Sequence, residues 1–296
     1  MVVGPTAAGK TKAAVRLAEL LGTEIISADS RQIYRELRIG TAVPSDEELE
    51  KVNHHFIQCR SIFEDYNAFM YESDALELLD TLFKKYNIVV MEGGSMLYID
   101  ALCKGIDLMP DADPEIRKNL NARLENEGVE GLRLQLKKLD PRYYRITDLK
   151  NPVRIIHALE ICLTTGRPYS SFRKETSKKR PFKIIKTGIN VERWLLHRFI
   201  DERVDRMVKS GLEEEAKLYY PYRNLNALNT VGYREFFDFF DGKITRDKAV
   251  ELIKRNTRRY ARKQLTWFNR DPGITWFNPC QEAKILKHIK SEISRL

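Results

Sequence analysis

The chain predicts an α/β fold: a parallel sheet with helices on both faces, interrupted by a mostly helical insertion. Three observations carry that prediction. A glycine- and lysine-bearing loop sits between an apolar run and a helical pattern, short β-branched runs alternate with amphipathic stretches over roughly the first third, and a charged stretch after Pro110 contains no strand-like run.

The loop comes first. Met1-Val2-Val3 is apolar and feeds Gly4-Pro5-Thr6-Ala7-Ala8-Gly9-Lys10-Thr11, which satisfies G-x-x-x-x-G-K-[ST]. Glycines at both ends let the backbone curl until several N–H groups face one anion, Lys10 adds a mobile positive charge, and Thr11 offers a hydroxyl to Mg²⁺. Residues 11–21 then place Ala13, Ala14, Leu17, Ala18, Leu20 and Leu21 at helical spacing, with Gly22 as the stop. Strand, loop and helix follow in the order of a P-loop NTPase-like core, so a diphosphate or triphosphate ester is the expected ligand. The first strand is very short, which leaves room for a natural start a few residues upstream.

Further strands are expected at residues 24–27, at 55–57 and at 88–91, the last running into Glu92-Gly93-Gly94, with an amphipathic helix at 75–84. Beyond Pro110 the texture changes. Asp113-Pro114-Glu115 opens a charged helix that runs towards Glu127 and stops at Gly128, a second helix is expected at about 131–139, and Pro152 opens a third that ends at Thr165 and Gly166. The helical insertion is therefore placed at 109–181, within a core domain made of 1–108 and 182–296. Residues 182–189 read as a strand returning to the sheet, followed by helices at about 194–218 and 246–269 and a last strand at 274–277.

With 296 residues, 43% of them hydrophobic, the chain can bury a proper core. It holds no apolar run of membrane-spanning length and opens without a charged-then-apolar leader, so a soluble, cytoplasmic protein with no membrane association is expected. Cys59, Cys103, Cys162 and Cys280 are scattered without zinc-type spacing and read as reduced thiols. The net charge of +9 matters less than its placement. Arg173, Lys174, Lys178, Lys179, Arg180, Lys183 and Lys186 are diluted only by Glu175, and this group reads either as a polyanion contact or as a solvated loop. Lys254, Arg255, Arg258, Arg259, Arg262, Lys263 and Arg270 are interleaved with Tyr260, Trp267 and Phe268, a mixture suited to a nucleic acid whose bases can unstack.

Asp29, in Ser27-Ala28-Asp29-Ser30-Arg31-Gln32, stands where the second strand ends. Parallel sheets bind ligands at the carboxyl ends of their strands, so Asp29 should share a crevice with the anion loop, as a base or metal partner or else as a turn residue. Glu92 resembles the acid that follows a hydrophobic strand and holds Mg²⁺ in many phosphate-loop enzymes, yet Gly93, Gly94 and Ser95 follow at once, which allows close backbone approach to a ligand. His54 and His55 would point to opposite faces of a strand and read as structural. Tyr233, after Gly232, reads equally as core or as a base-stacking ring.

GPTAAGKT, SADSRQIY, GGSMLY at 93–98, R-x-x-x-A-L-E from Arg154 to Glu160, NTVGYRE at 229–235 and RRYARKQLTW at 258–267 together resemble the tRNA dimethylallyltransferases, in the same order and along nearly the whole chain. The absence of an appended Cys/His-rich finger matches the bacterial form. The resemblance implies transfer of a dimethylallyl group from dimethylallyl diphosphate to N6 of the adenosine beside the tRNA anticodon, with Mg²⁺ as cofactor and diphosphate as leaving group. It implies that residues Gly4 to Thr11 hold the diphosphate, that Thr11 touches the metal, that Asp29 takes the amine proton, and that Thr6 and Arg203 lie near the bridging oxygen. It also implies tRNA contacts at Asp29, Ser30, Arg31, Gln32 and Ser95, at Arg117, Val153, Arg154 and His157 in the insertion, and at Tyr233, Arg234, Arg262, Lys263 and Gln264. The partners would be the tRNA anticodon stem-loop and dimethylallyl diphosphate, and the enzyme a monomer.

Ser95 stands where threonine is usual, Asn229 where glutamine is frequent, and Val153 and His157 replace more polar residues, which leaves the exact RNA contacts open. Two rivals share the loop. One is a small-molecule kinase in which Asp29 activates a hydroxyl and Lys10 holds ATP; the other is a non-enzymatic RNA-binding NTPase. The large insertion and the spread of basic residues beyond a phosphate pocket favour the transferase.

Overall fold

The computed structural model describes residues 1–111, 113–174 and 177–295; Glu175, counted above in a basic cluster, lies outside them. The chain divides into two compact units, Met1–Cys103 joined with Arg180–Leu296, and Lys104–Lys179.

The first unit begins with β1 (Val2–Val3), α1 (Lys10–Leu21), β2 (Ile25–Ala28), α2 (Asp46–Lys51), β3 (His54–His55), α3 (Ala68–Leu82), β4 (Val90–Gly93) and α4 (Met96–Lys104). The helical unit supplies α5 (Pro114–Glu127), α6 (Val129–Leu139), α7 (Pro141–Ile146) and α8 (Pro152–Thr165). The chain then returns to the first unit with β5 (Thr187–Ile189), α9 (Arg193–Lys209), α10 (Leu212–Tyr219), α11 (Tyr233–Phe240), α12 (Arg246–Phe268), β6 (Thr275–Phe277) and α13 (Glu282–Ile293).

Six parallel strands lie in the order β3-β2-β4-β1-β5-β6. Strand periodicity explains why both faces are covered. Val2, Ile25 and Val90 join one core with Ala14, Leu17, Leu196, Ile200 and Ile285, whereas their neighbours Val3, Ile26 and Met91 join the other with Tyr71, Leu79, Leu102, Phe236 and Ile253. Each fully buried branched side chain contributes roughly 1.5–3 kcal/mol.

Several boundaries differ from expectation, for local reasons. Strand β3 ends at His55 because Phe56 turns to φ 62°, and the helix expected over 194–218 breaks into α9 and α10 at Gly211, φ 101°. Strand β4 runs two residues later than expected because its register pairs Ala28 with Gly93; a β-carbon on Gly93 would lie 2.4 Å from the Ala28 carbonyl oxygen. The strand expected over 182–189 shrinks to Thr187–Ile189, the stretch paired with β1 and β6. Asn67 accepts from the N–H groups of Phe69 and Met70, so α3 starts well before its apolar pattern does.

In the helical unit, Leu120, Leu132, Leu136, Ile155, Leu159 and Ile161 form the core, ringed by Tyr143 and Tyr169. Helices α5, α7 and α8 each carry proline in the first turn behind a side-chain cap, Asp113, Asp140 and Asn151 respectively. No strand occurs among the described residues of this unit.

Candidate active site

Loop 4–11 passes over the carboxyl ends of β1 and β5 and is held in an uncommon shape. Gly4 has φ 151°, and a β-carbon there would stand 2.2 Å from the Ile189 carbonyl oxygen. Ala7 is left-handed at φ 64° and Gly9 at φ 87°, the kind of backbone turn from which anion-binding loops are made. Lys10 Nζ donates to the Pro5 carbonyl at 2.9 Å, and burial lowers the Lys10 pKa against the opposing pull of Glu92.

A cleft of about 380 Å³ brings together Thr6, Lys10 and Thr11 from the loop and α1, Asp29 to Gln32 after β2, Glu92 to Gly94 from β4, Arg203 from α9, Asn229 and Arg234 beside α11, and Tyr260 and Gln264 from α12. A larger apolar groove of about 870 Å³, lined by Met1, Leu79, Phe83, Ile88 and Phe182, lies by the amino ends of the strands, away from these groups. Parallel sheets bind ligands at the other end.

Asp29 uses one oxygen as a turn residue, accepting from the N–H groups of Arg31 at 2.9 Å and Gln32 at 3.3 Å. Arg203 donates to the Thr41 carbonyl at 3.4 Å; burial lowers its pKa and the nearby Asp29 opposes that shift. A carboxylate, a guanidinium and an anion loop thus line one small space.

Glu92 is 3% exposed. Its Oε1 lies 3.5 Å from Thr11 Oγ1, and its Oε2 is buried without a hydrogen-bond partner. Burial pushes its pKa up to about 7, with Lys10 opposing and Asp29 adding to the rise. A hydroxyl and an unsatisfied carboxylate beside a phosphate loop fit Mg²⁺, which usually takes one or two protein oxygens and fills its shell with phosphate oxygens and water. Among the described residues no cluster of three or more His, Cys, Asp or Glu could hold a metal by itself.

Several expected RNA contacts have other duties. Tyr233 is fully buried, its hydroxyl donates to Glu215 Oε1 at 2.5 Å, and Gly40 packs against its ring. It is a core residue and has no free face for a base. Gln264, 2% exposed, accepts from the Thr6 N–H at 2.8 Å and donates to the Gly94 carbonyl at 2.9 Å, so it braces the anion loop from within the cleft. Gln32 is 7% exposed and donates to the Thr41 and Ala42 carbonyls. Ser95 accepts from the Ser30 N–H at 2.8 Å and fixes that residue beside Asp29.

Arg31 and Arg234 line the cleft; Arg31 also donates to the Asn226 carbonyl and Arg234 to Asn229 Oδ1. On α12, Arg262 and Lys263 are exposed. In the helical unit, Arg117 pairs with the buried Glu160 at 2.7 Å, His157 Nδ1 lies 3.6 Å from the same carboxylate, and Arg154 and Val153 are exposed. Arg180, counted in a basic cluster, instead turns its side chain inward, 8% exposed: it pairs with Glu72 at 2.8 Å and caps the carbonyls of Ala101 and Leu102.

Sequence reasoning missed Glu215. Its carboxylate accepts from the N–H groups of Arg38, Ile39 and Gly40 at 2.8–3.0 Å and from the Tyr233 hydroxyl, fixing the turn whose Thr41 carbonyl receives Arg203. Within the run Glu213-Glu214-Glu215 it reads as one more surface acid on a helix.

The model of the IPP transferase family matches residues 32–271. The chain is 55% identical to tRNA dimethylallyltransferase 1 of Porphyromonas gingivalis over 94% of this chain and 93% of that protein, and 49% identical to tRNA dimethylallyltransferase 1 of Bacteroides fragilis over 99% and 97%. Among solved structures, the tRNA isopentenylpyrophosphate transferase of Bacillus halodurans superposes with a TM-score of 0.73 at 34% identity, covering 99% of this chain and 96% of that one. A eukaryotic dimethylallyltransferase acting on tRNA shares the fold, with a TM-score of 0.77 at 23% identity, 94% of this chain and 73% of that one. Loop, strand-end acid and sheet order therefore coincide with sequence likeness along the whole length, and the chain belongs to the IPP transferase family of tRNA dimethylallyltransferases.

Proposed function

We propose that the chain transfers a dimethylallyl group from dimethylallyl diphosphate to N6 of the adenosine on the 3′ side of the tRNA anticodon, releasing diphosphate, as a cytoplasmic monomer. One observation carries the reading: the anion loop, the Asp29 carboxylate and Arg203 line the same small cleft. The carbon–oxygen bond of the donor breaks, the N6–carbon bond forms, and the N6 proton passes to Asp29. Loop 4–11, Lys10 and Arg203 stabilise the charge that grows on the leaving diphosphate, and Thr6 orients its bridging oxygen. Mg²⁺, held by Thr11, supplies further neutralisation of the diphosphate when bound.

The adenine amine reaches the cleft after the base leaves the loop stack, which costs a few kcal/mol. Arg31 and Arg234 at the rim, Arg262 and Lys263 on α12, and Arg117, Val153, Arg154 and His157 in the insertion (109–181, set in a core of 1–108 and 182–296) would hold the anticodon stem-loop. Replacing any one phosphate-binding cation with a neutral side chain should lower the log–log salt slope of binding by roughly 0.7–0.9.

The test is mass spectrometry of nucleosides from tRNA incubated with the protein and either dimethylallyl diphosphate or ATP. Prenylated adenosine appearing only with the allylic donor supports the reading. Consumption of ATP with unmodified tRNA under saturating donor would overturn it.

A further inference from the structure

We propose that Glu92 gives this chain a divalent-cation site of its own, made with Thr11 and filled before any diphosphate arrives. Strand periodicity puts Glu92 on the same face of β4 as Val90, against α1, where packing alone calls for an apolar side chain. A carboxylate occupies that position instead, 3% exposed, with Oε2 buried and unpartnered.

An ionised carboxylate left so is costly in the interior unless a positive group meets it. The cations that act on Glu92 stop short of pairing with it: Lys10 Nζ donates to the Pro5 carbonyl at 2.9 Å and Arg203 to the Thr41 carbonyl at 3.4 Å. Neither forms an ion pair with Glu92 within 4.0 Å among the described residues. What does face Glu92 is a second hard oxygen, Thr11 Oγ1, 3.5 Å from Oε1. An octahedral Mg²⁺ with bonds of about 2.1 Å needs adjacent oxygens roughly 3 Å apart, so a side-chain shift of about half an ångström admits both to one shell. Thr11 and Glu92 both line the cleft, so the remaining positions open towards water or phosphate oxygens. The ligand class is a hard divalent cation, Mg²⁺ or Mn²⁺.

This inference deepens the diphosphate reading of the cleft and rests on it. Mn²⁺ alone is titrated into the full chain, without tRNA or diphosphate, and free Mn²⁺ is followed by electron paramagnetic resonance. The parent should bind one ion per chain, and Glu92→Gln, equal in shape but uncharged, should bind at least tenfold more weakly. Mg²⁺ should correspondingly raise the melting temperature of the parent and not that of Glu92→Gln, whose circular dichroism would establish that it is folded. Equal Mn²⁺ affinity in the two proteins, or no Mn²⁺ bound by the parent at millimolar concentration, overturns the inference. Because the readout contains no substrate, a chain that binds Mn²⁺ yet fails to prenylate tRNA defeats the transferase reading, whereas an active chain that binds no Mn²⁺ without diphosphate defeats the cation site alone.

Discussion

In the sheet unit, polar side chains are drawn into the interior beside the anion loop: Glu92, Gln264, Gln32 and Ser95 are all nearly inaccessible, and each except Glu92 satisfies a backbone group of a segment that lines the cleft. In the helical unit the core is apolar, and its buried acids, Asp140 and Glu160, serve a helix cap and an exposed arginine. The contrast separates two ways of using buried charge. Near the loop it shapes a reacting surface, and in the helices it steadies a surface that faces outward. Substitutions of the buried polar groups beside the loop should therefore act on turnover, and those of the buried acids in the helical unit on RNA affinity.

The largest expected effect is that of Asp29→Ala, which should slow single-turnover transfer by about 10²- to 10⁴-fold while tRNA affinity stays within about twofold. Transfer at the parental rate would remove the base from the cleft and erase the contrast. Next comes the pH dependence set by Glu92. Burial raises its pKa from 4.5 to about 7, so between those values the folded chain keeps a proton that the unfolded chain releases. The associated stability is fully present below about pH 4.5 and is lost as pH rises through about 7, on the order of 3 kcal/mol. In metal-free buffer, Glu92→Gln should lose this slope; parallel melting profiles for the two proteins would show that Glu92 titrates normally.

Gly93→Ala should cost about 2 kcal/mol or more in denaturant melts, because its β-carbon meets the backbone oxygen of Ala28 at 2.4 Å. Glu160→Gln should weaken tRNA binding by about 1.5 kcal/mol, since Arg117 loses its charged partner, with turnover at saturating tRNA unchanged. A fall in turnover there would break the division between the units. The smallest effect is expected of Gly166→Ala, which meets open space and bears only the left-handed penalty at φ 68°, about 1 kcal/mol.

What was legible in the sequence was local. The anion loop, the α1 stop at Gly22 and the proline-opened helices α5 and α8 each declare themselves within a few residues through caps and periodicity. Strand limits were not legible, because β4 ends where Ala28 and Gly93 happen to pair and β5 where β1 and β6 accompany it. The fate of Tyr233 depends on Gly40 and Glu215, both remote in sequence, and no pattern around Gly232 could decide between core and rim. Helices α2 and α11 are short, and the capping box Ser45-Glu48 before α2 was the one local signal available for it.

The bond between the Thr6 N–H and Gln264 joins residues 258 positions apart. A ribosome delivers the anion loop long before it delivers the brace. Strand β1 likewise waits for Thr187 and Gly188 before it has a neighbour on that side. Such distant pairings make assembly slow, and a nascent chain halted before α12 carries an anion loop with no brace.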